Sequence, residues 1–180
     1  MSEMLITAPP LSWASIESKA WSIRETFGLH EKLFFPVMAF LESVLSDKLE
    51  FVSLDVWPDA KCEGAEGYTC QKGEYIILPE SVYRQAWDNM PRARFTVAHE
   101  LGHLFLHAGR PLPRIQTTQR VAPFRDPEKQ ADRFAASLLM PWPHFRGIES
   151  RHEVVDLFGV SNQAAEIRYD EWQKKKGRPK

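Results

Sequence analysis

The residues best suited to chemistry are His99, Glu100 and His103, which stand as His99-Glu100-Leu101-Gly102-His103. Residues i and i+4 of a helix share one face, so both imidazoles can reach a single cation. The glutamate between them is then placed to act on a water at that cation rather than on the cation itself. Two buried histidines at this spacing without a metal would need other partners for their ring nitrogens. The expected chemistry is metal-assisted hydrolysis.

A catalytic zinc takes three protein ligands and keeps one position open. His107 extends the same stripe, but it lies about 12 Å from His99 along a helix axis, too far to share the ion. It suits the helix C-terminus, where the dipole favours histidine. The spaced Gly and third His of metzincins would fall at Leu106 and Gly109, which excludes that class. Glu128 and Asp132 form another i, i+4 pair. Like charges so placed destabilise a helix, unless Glu128 binds the metal while Asp132 accepts the outer N–H of a ligand histidine, His99 being the expected one. The alternative is that Glu128 only favours the helix dipole and Asp132 pairs with Lys129. Spacing leaves both open.

The elements that must position these groups are readable in outline. Phe95, Val97, Ala98, Leu101, Leu104, Phe105 and Leu106 cover most of a helix circumference over 94–107, which predicts a buried helix. Asp88, Asn89 and Pro91 suit its start; Gly109 and Pro111 suit its stop. Gly102 disfavours a helix interior, which points to close packing or to room beside the metal. A second helix is expected from Asp126 as cap and Pro127 as first residue, with Ala131, Phe134, Ala135, Leu138 and Leu139 as its apolar face and Pro141 and Pro143 as its end.

Upstream, residues 12–27 and 34–45 carry helical spacing, residues 49–56 read as a strand, and Gly67–Cys70 with Tyr75–Leu78 read as a hairpin. A short helix is expected over 81–88. The strand over Tyr75–Leu78 offers an edge on which an extended substrate could pair. The fold class expected is α+β: a small antiparallel sheet packed with helices, the metal helix in the core. Residues 1–11 read as a flexible arm, residues 110–125 as a loop at the cleft.

The chain has 180 residues, enough for one well-packed core, and a net charge of −1, which argues against wholesale nucleic-acid binding. Neither a signal peptide nor a membrane span is read, and a cytoplasmic location is expected. Cys62 and Cys70 are read as structural and reduced. Residues 149–172 form a helix-turn-helix-like segment, with Gly159 at the turn and Ser161 as cap. Asn162, Gln163, Glu166 and Arg168 make a weak recognition face, so packing on the domain is favoured over direct DNA binding. Residues 173–180 form a basic tail, expected to be solvated.

Two blocks, 94–103 and 128–141, each in order and each long, resemble the ImmA/IrrE family of metallo-endopeptidases. The resemblance covers roughly residues 30–172. It implies a zincin-like domain over 12–148, one zinc ion per chain held by His99, His103 and Glu128, and Glu100 as catalytic base. It also implies a protein substrate, a helix-turn-helix repressor or antitoxin encoded nearby, in a phage, mobile-element or toxin–antitoxin setting. A further donor would stabilise the oxyanion, and Tyr68, Tyr75, Arg133, His144 and His152 are the candidates. The rival expectation is a non-catalytic zinc-containing regulator that binds a repressor, an antitoxin or DNA.

Overall fold

Apolar faces spaced for helices on either side of a short sheet decide the architecture. The structure is a computed structural model and describes residues 3–117 and 121–177. Strand β1 (Glu3–Ile6) precedes helix α1 (Trp13–Thr26), which the Ser12 hydroxyl caps by accepting from the Ser15 N–H. Pro36 leads into α2 (Val37–Ala39), which continues directly into wider π-type turns over Phe40–Lys48. Strands β2 (Ser53–Trp57), β3 (Tyr68–Thr69) and β4 (Tyr75–Pro79) follow, then α3 (Glu80–Trp87) and α4 (Pro91–His107). Strand β5 (Arg114–Thr117) precedes α5 (Pro127–Leu139), α6 (Arg151–Phe158) and α7 (Asn162–Lys176).

The sheet is mixed, not antiparallel as expected. Its order is β2-β4-β3, with β2 parallel to β4 and β3 antiparallel to it. Alternating apolar residues specify which face of a strand is buried but not which way its neighbour runs. The long connection after β2 carries the chain back so that β4 can run alongside it. Being central, β4 has neighbours on both sides, so it cannot offer the free edge expected at Tyr75–Leu78; the edge strands are β2 and β3.

Two other expectations change. The arm expected over 1–11 is tied down: β1 pairs with β5 from Glu3↔Thr117 to Ile6↔Arg114, and the Ala8 and Leu11 N–H groups donate to the Arg125 and Phe124 carbonyls. The expected 110–125 loop therefore contains a strand, while residues 118–120 lie outside the described residues. The basic tail is partly helical, since Lys174–Lys176 form the last turn of α7, and residues 178–180 lie outside the described residues. Neither Asp88 nor Asn89 caps α4; Met90 stands at the cap position without a side-chain bond, and Pro91 is the first helical residue. Cys62 and Cys70 are free thiols.

Helix α4 is buried on most of its circumference, including Arg94, Val97, Leu101, Leu104 and His107. It packs tightly on α5 at Gly102: a Cβ there would come within 2.9 Å of the Ala131 Cα and 3.1 Å of its carbonyl oxygen. The glycine therefore permits the helix contact that brings Glu128 to the two histidines. On the other side, α6 ends at Gly159 in the left-handed region, φ 61°. Buried Arg94 donates to the Phe158 and Gly159 carbonyls and stacks on the Phe34 ring. Buried Arg168 of α7 donates to the Met140 carbonyl and stacks on Trp142. Among the described residues, no helix is long and apolar enough to cross a membrane.

Candidate metal centre

Helix geometry places His99 and His103 one turn apart on the stripe of α4 that is not fully covered. Asp126 fixes the start of α5 by accepting from the Glu128 and Lys129 N–H groups, so Glu128 enters on the first turn, facing α4. Donor atoms of His99, His103 and Glu128 all lie within 4.8 Å of one another. His103 Nε2 is 3.0 Å from His99 Nε2, His99 Nε2 is 3.2 Å from Glu128 Oε2, and His103 Nε2 is 3.5 Å from Glu128 Oε1. Ligand atoms on a tetrahedral zinc with arms of about 2.0–2.1 Å sit roughly 3.3–3.4 Å apart, so three corners of such a site are already formed. The donor set, two imidazoles and a carboxylate, suits zinc.

Each imidazole is also held from behind. His99 Nδ1 is 3.0 Å from Asp132 Oδ1, and the Lys129 ammonium donates to Asp132 Oδ2 at 3.2 Å. Asp132 thus meets both of the partners that its spacing suggested, His99 and Lys129. His103 Nδ1 is 3.1 Å from His107 Nδ1, and His107 Nε2 is 2.8 Å from Gln130 Oε1. In the metal-free state, burial opposes charge on His99, but Asp132 and Glu128 outweigh it and raise its pKa to about 9. The facing imidazoles of His103 and His99 hold the Glu128 carboxyl far below its usual value. Burial would raise Asp132, yet His99 and Lys129 keep it below its ordinary range.

Glu100 lies against β3. Its carboxylate Oε2 accepts the Thr69 hydroxyl at 2.6 Å. A Cβ on Gly67 would meet Glu100 Oε1 at 2.8 Å, so only glycine lets the chain pass this close to the carboxylate. Burial pushes the Glu100 carboxyl up, against the lowering influence of Thr69 and the two imidazoles. An elevated carboxyl is closer to the proton affinity a general base needs near neutral pH.

The remaining candidates separate. Tyr68 is half exposed on β3, next to Thr69, and its ring stands 6.2 Å from that of Tyr75. Arg133 is committed to Glu171 and Glu17. His144 packs among Trp21, His30 and Phe158 rather than with the donor cluster. His152 is exposed on α6. Thr69, Gly67 and Gln130 were not anticipated. Gln130 had a signal, since it interrupts the buried face of α5; Thr69 had none, because its contact with Glu100 spans 31 residues.

Two histidines and a glutamate converging from packed helices, with a second glutamate alongside, define a metallopeptidase-type centre. A family model described as an IrrE N-terminal-like domain matches residues 67–170, which takes in β3, the sheet's central strand and helices α3 to α6 with most of α7, and the chain belongs to that metallopeptidase family. The family implies a metal, and the His99, His103 and Glu128 group could bind it. No curated protein and no solved structure matches the chain.

Proposed function

We propose that this chain is a zinc-dependent endopeptidase that hydrolyses a peptide bond in a protein substrate. The observation that carries the reading is the convergence of His99, His103 and Glu128, with the outer nitrogen of each histidine already engaged, beside a buried Glu100. When bound, zinc would supply Lewis-acid polarisation of the scissile carbonyl and acidify the attacking water. His99, His103 and Glu128 would hold the ion, and Asp132 orients the His99 ring. Thr69 holds Glu100 Oε2, so Oε1 is the oxygen that takes the water proton and passes it to the leaving amine nitrogen. The outer edge of β3 would pair with an extended substrate, and Tyr68, half exposed on that strand, is kept as the oxyanion donor.

The ImmA/IrrE resemblance supports a helix-turn-helix repressor or antitoxin as the substrate. We assign α6 and α7 to the fold rather than to DNA. Buried arginines pin both helices, and Glu166 and Asp170 of α7 pair with Arg151 and add negative charge where DNA contact would need positive.

One observation favours a second reading, a non-catalytic metal-containing regulator that binds the repressor without cutting it: Glu100 is only 6% exposed and is covered by β3. The two readings divide on one experiment. Zinc-loaded protein is incubated with the repressor encoded beside its gene, with and without a chelator. Cleavage that the chelator abolishes, and that Glu100→Gln lowers on the order of 10²–10⁴-fold while zinc content is kept, is the expected result. An intact repressor in a stable complex supports the second reading and overturns the first.

A further inference from the structure

The support behind His103 is longer than the support behind His99, and its hydrogen bonds admit one arrangement when His107 is neutral. The far end fixes it. The Gln130 amide Nε2 lies 2.9 Å from the Pro9 carbonyl oxygen and 2.8 Å from that of Phe124. Carbonyls only accept, so the amide NH₂ must face them and Gln130 Oε1 must face His107. An acceptor at 2.8 Å from His107 Nε2 requires a proton on that nitrogen. A neutral His107 then has a bare Nδ1, which can only accept, and its neighbour at 3.1 Å is His103 Nδ1. His103 must therefore carry its proton on Nδ1, which leaves the Nε2 lone pair facing the His99 and Glu128 donors.

We propose that His107 and Gln130 are positioning residues that hold His103 in its metal-binding tautomer, with the Pro9 and Phe124 carbonyls as the fixed reference. The chain is sheltered along its length: His107 is 3% exposed and Gln130 is fully buried. Neither hydrogen-bond partner of the His107 ring, His103 or Gln130, is a carboxylate, so nothing at the ring offsets the cost of burying a charge, and the neutral ring is the favoured form. The segment after β1 acquires a role as well, because it supplies one of the two carbonyls that orient the amide. His99 differs in kind, since its outer partner is a half-exposed carboxylate.

This inference rests on the reading of His103 as a ligand, so its test uses readouts that need no hydrolysis. In full-length, chelator-treated wild-type protein, nitrogen-15 imidazole NMR is expected to find His103 protonated at Nδ1 and His107 at Nε2. The reverse tautomer at His107 overturns the proposal whether or not the protein proves to be a peptidase. Zinc affinity is then measured by competition with a chromophoric chelator. His107→Leu is expected to weaken binding about 10- to 100-fold, the range typical of partners behind a metal ligand. His107→Asn, whose amide oxygen can still accept from His103, is expected to recover most of the loss. Gln130→Leu is expected to weaken binding less than His107→Leu. A lower unfolding midpoint with unchanged zinc affinity in all three variants would show a merely structural role and overturn the proposal. Should His107→Leu fail to fold, the wild-type tautomers and the Asn variant still decide it.

Discussion

Two contacts in this molecule are built from buried polar groups, and they end in opposite states. At the C-terminal contact, Arg94 and Arg168 direct their donors at the carbonyls of Phe158, Gly159 and Met140 and lay their guanidinium planes on Phe34 and Trp142. Charge is buried, but the hydrogen bonds end on backbone carbonyls and, for Arg168, also on Glu171 and Ser137, and the result is a fixed pair of helices. At the α4–α5 contact, the outer nitrogens of His99 and His103 are engaged while the inner ones face each other and Glu128 at 3.0–3.5 Å. Lone pairs crowded together in this way repel unless a proton or a cation lies between them. Reactivity sits where polar groups converge without satisfying one another, and rigidity sits where they are satisfied.

Changes confined to one contact should leave the other's readout alone. The largest effect is expected from Glu128→Ala, which removes one corner of the donor set. Zinc affinity should fall by more than the roughly 100-fold that outer partners are worth. Unchanged zinc stoichiometry in that variant would remove Glu128 from the site. Arg94→Met should act in reverse. Two carbonyls at the end of α6 lose their donor, at about 1–3 kcal/mol for each left unsatisfied, and chemical denaturation should register this while zinc affinity holds. If zinc affinity falls equally, the two contacts are coupled and the contrast fails.

Gly102→Ala probes the seam between helix packing and metal site. Its new Cβ would press on the Ala131 backbone at 2.9 Å. Overpacking of about 1–3 kcal/mol is expected in denaturation, and zinc affinity should drop with it because the helices must part. A stable variant with full affinity would show that the closeness of α4 and α5 does not set the donor geometry.

The effect expected to be smallest per unit step is one of pH. The raised His99 pKa, about 9, means that the metal must displace a proton below that pH. Zinc affinity should therefore rise with pH, by up to about tenfold per unit, and level off near pH 9. The slope is read from competition titrations at constant ionic strength. Asp132→Asn removes a negative charge that holds this proton, so the plateau should move to lower pH. A profile flat between pH 6 and 9 would show that His99 is not charged in the metal-free chain.

Local sequence determined a good deal here. An i, i+4 histidine pair on an apolar helix, a capped helix opening with Pro127 and Glu128, and the Glu128–Asp132 spacing are all consequences of helical periodicity and side-chain chemistry, which act over a few residues. Gln130 was not singled out, although a polar residue on a buried face must find partners. The parallel pairing of β2 with β4, the capture of residues 3–11 by β5 and the loop before α5, the Thr69 hydroxyl on Glu100, and the route from His103 through His107 to Pro9 were decided by tertiary structure. Each joins groups far apart in the chain. Periodicity fixes which face of an element is buried, but packing selects what lies opposite, and packing depends on every element at once.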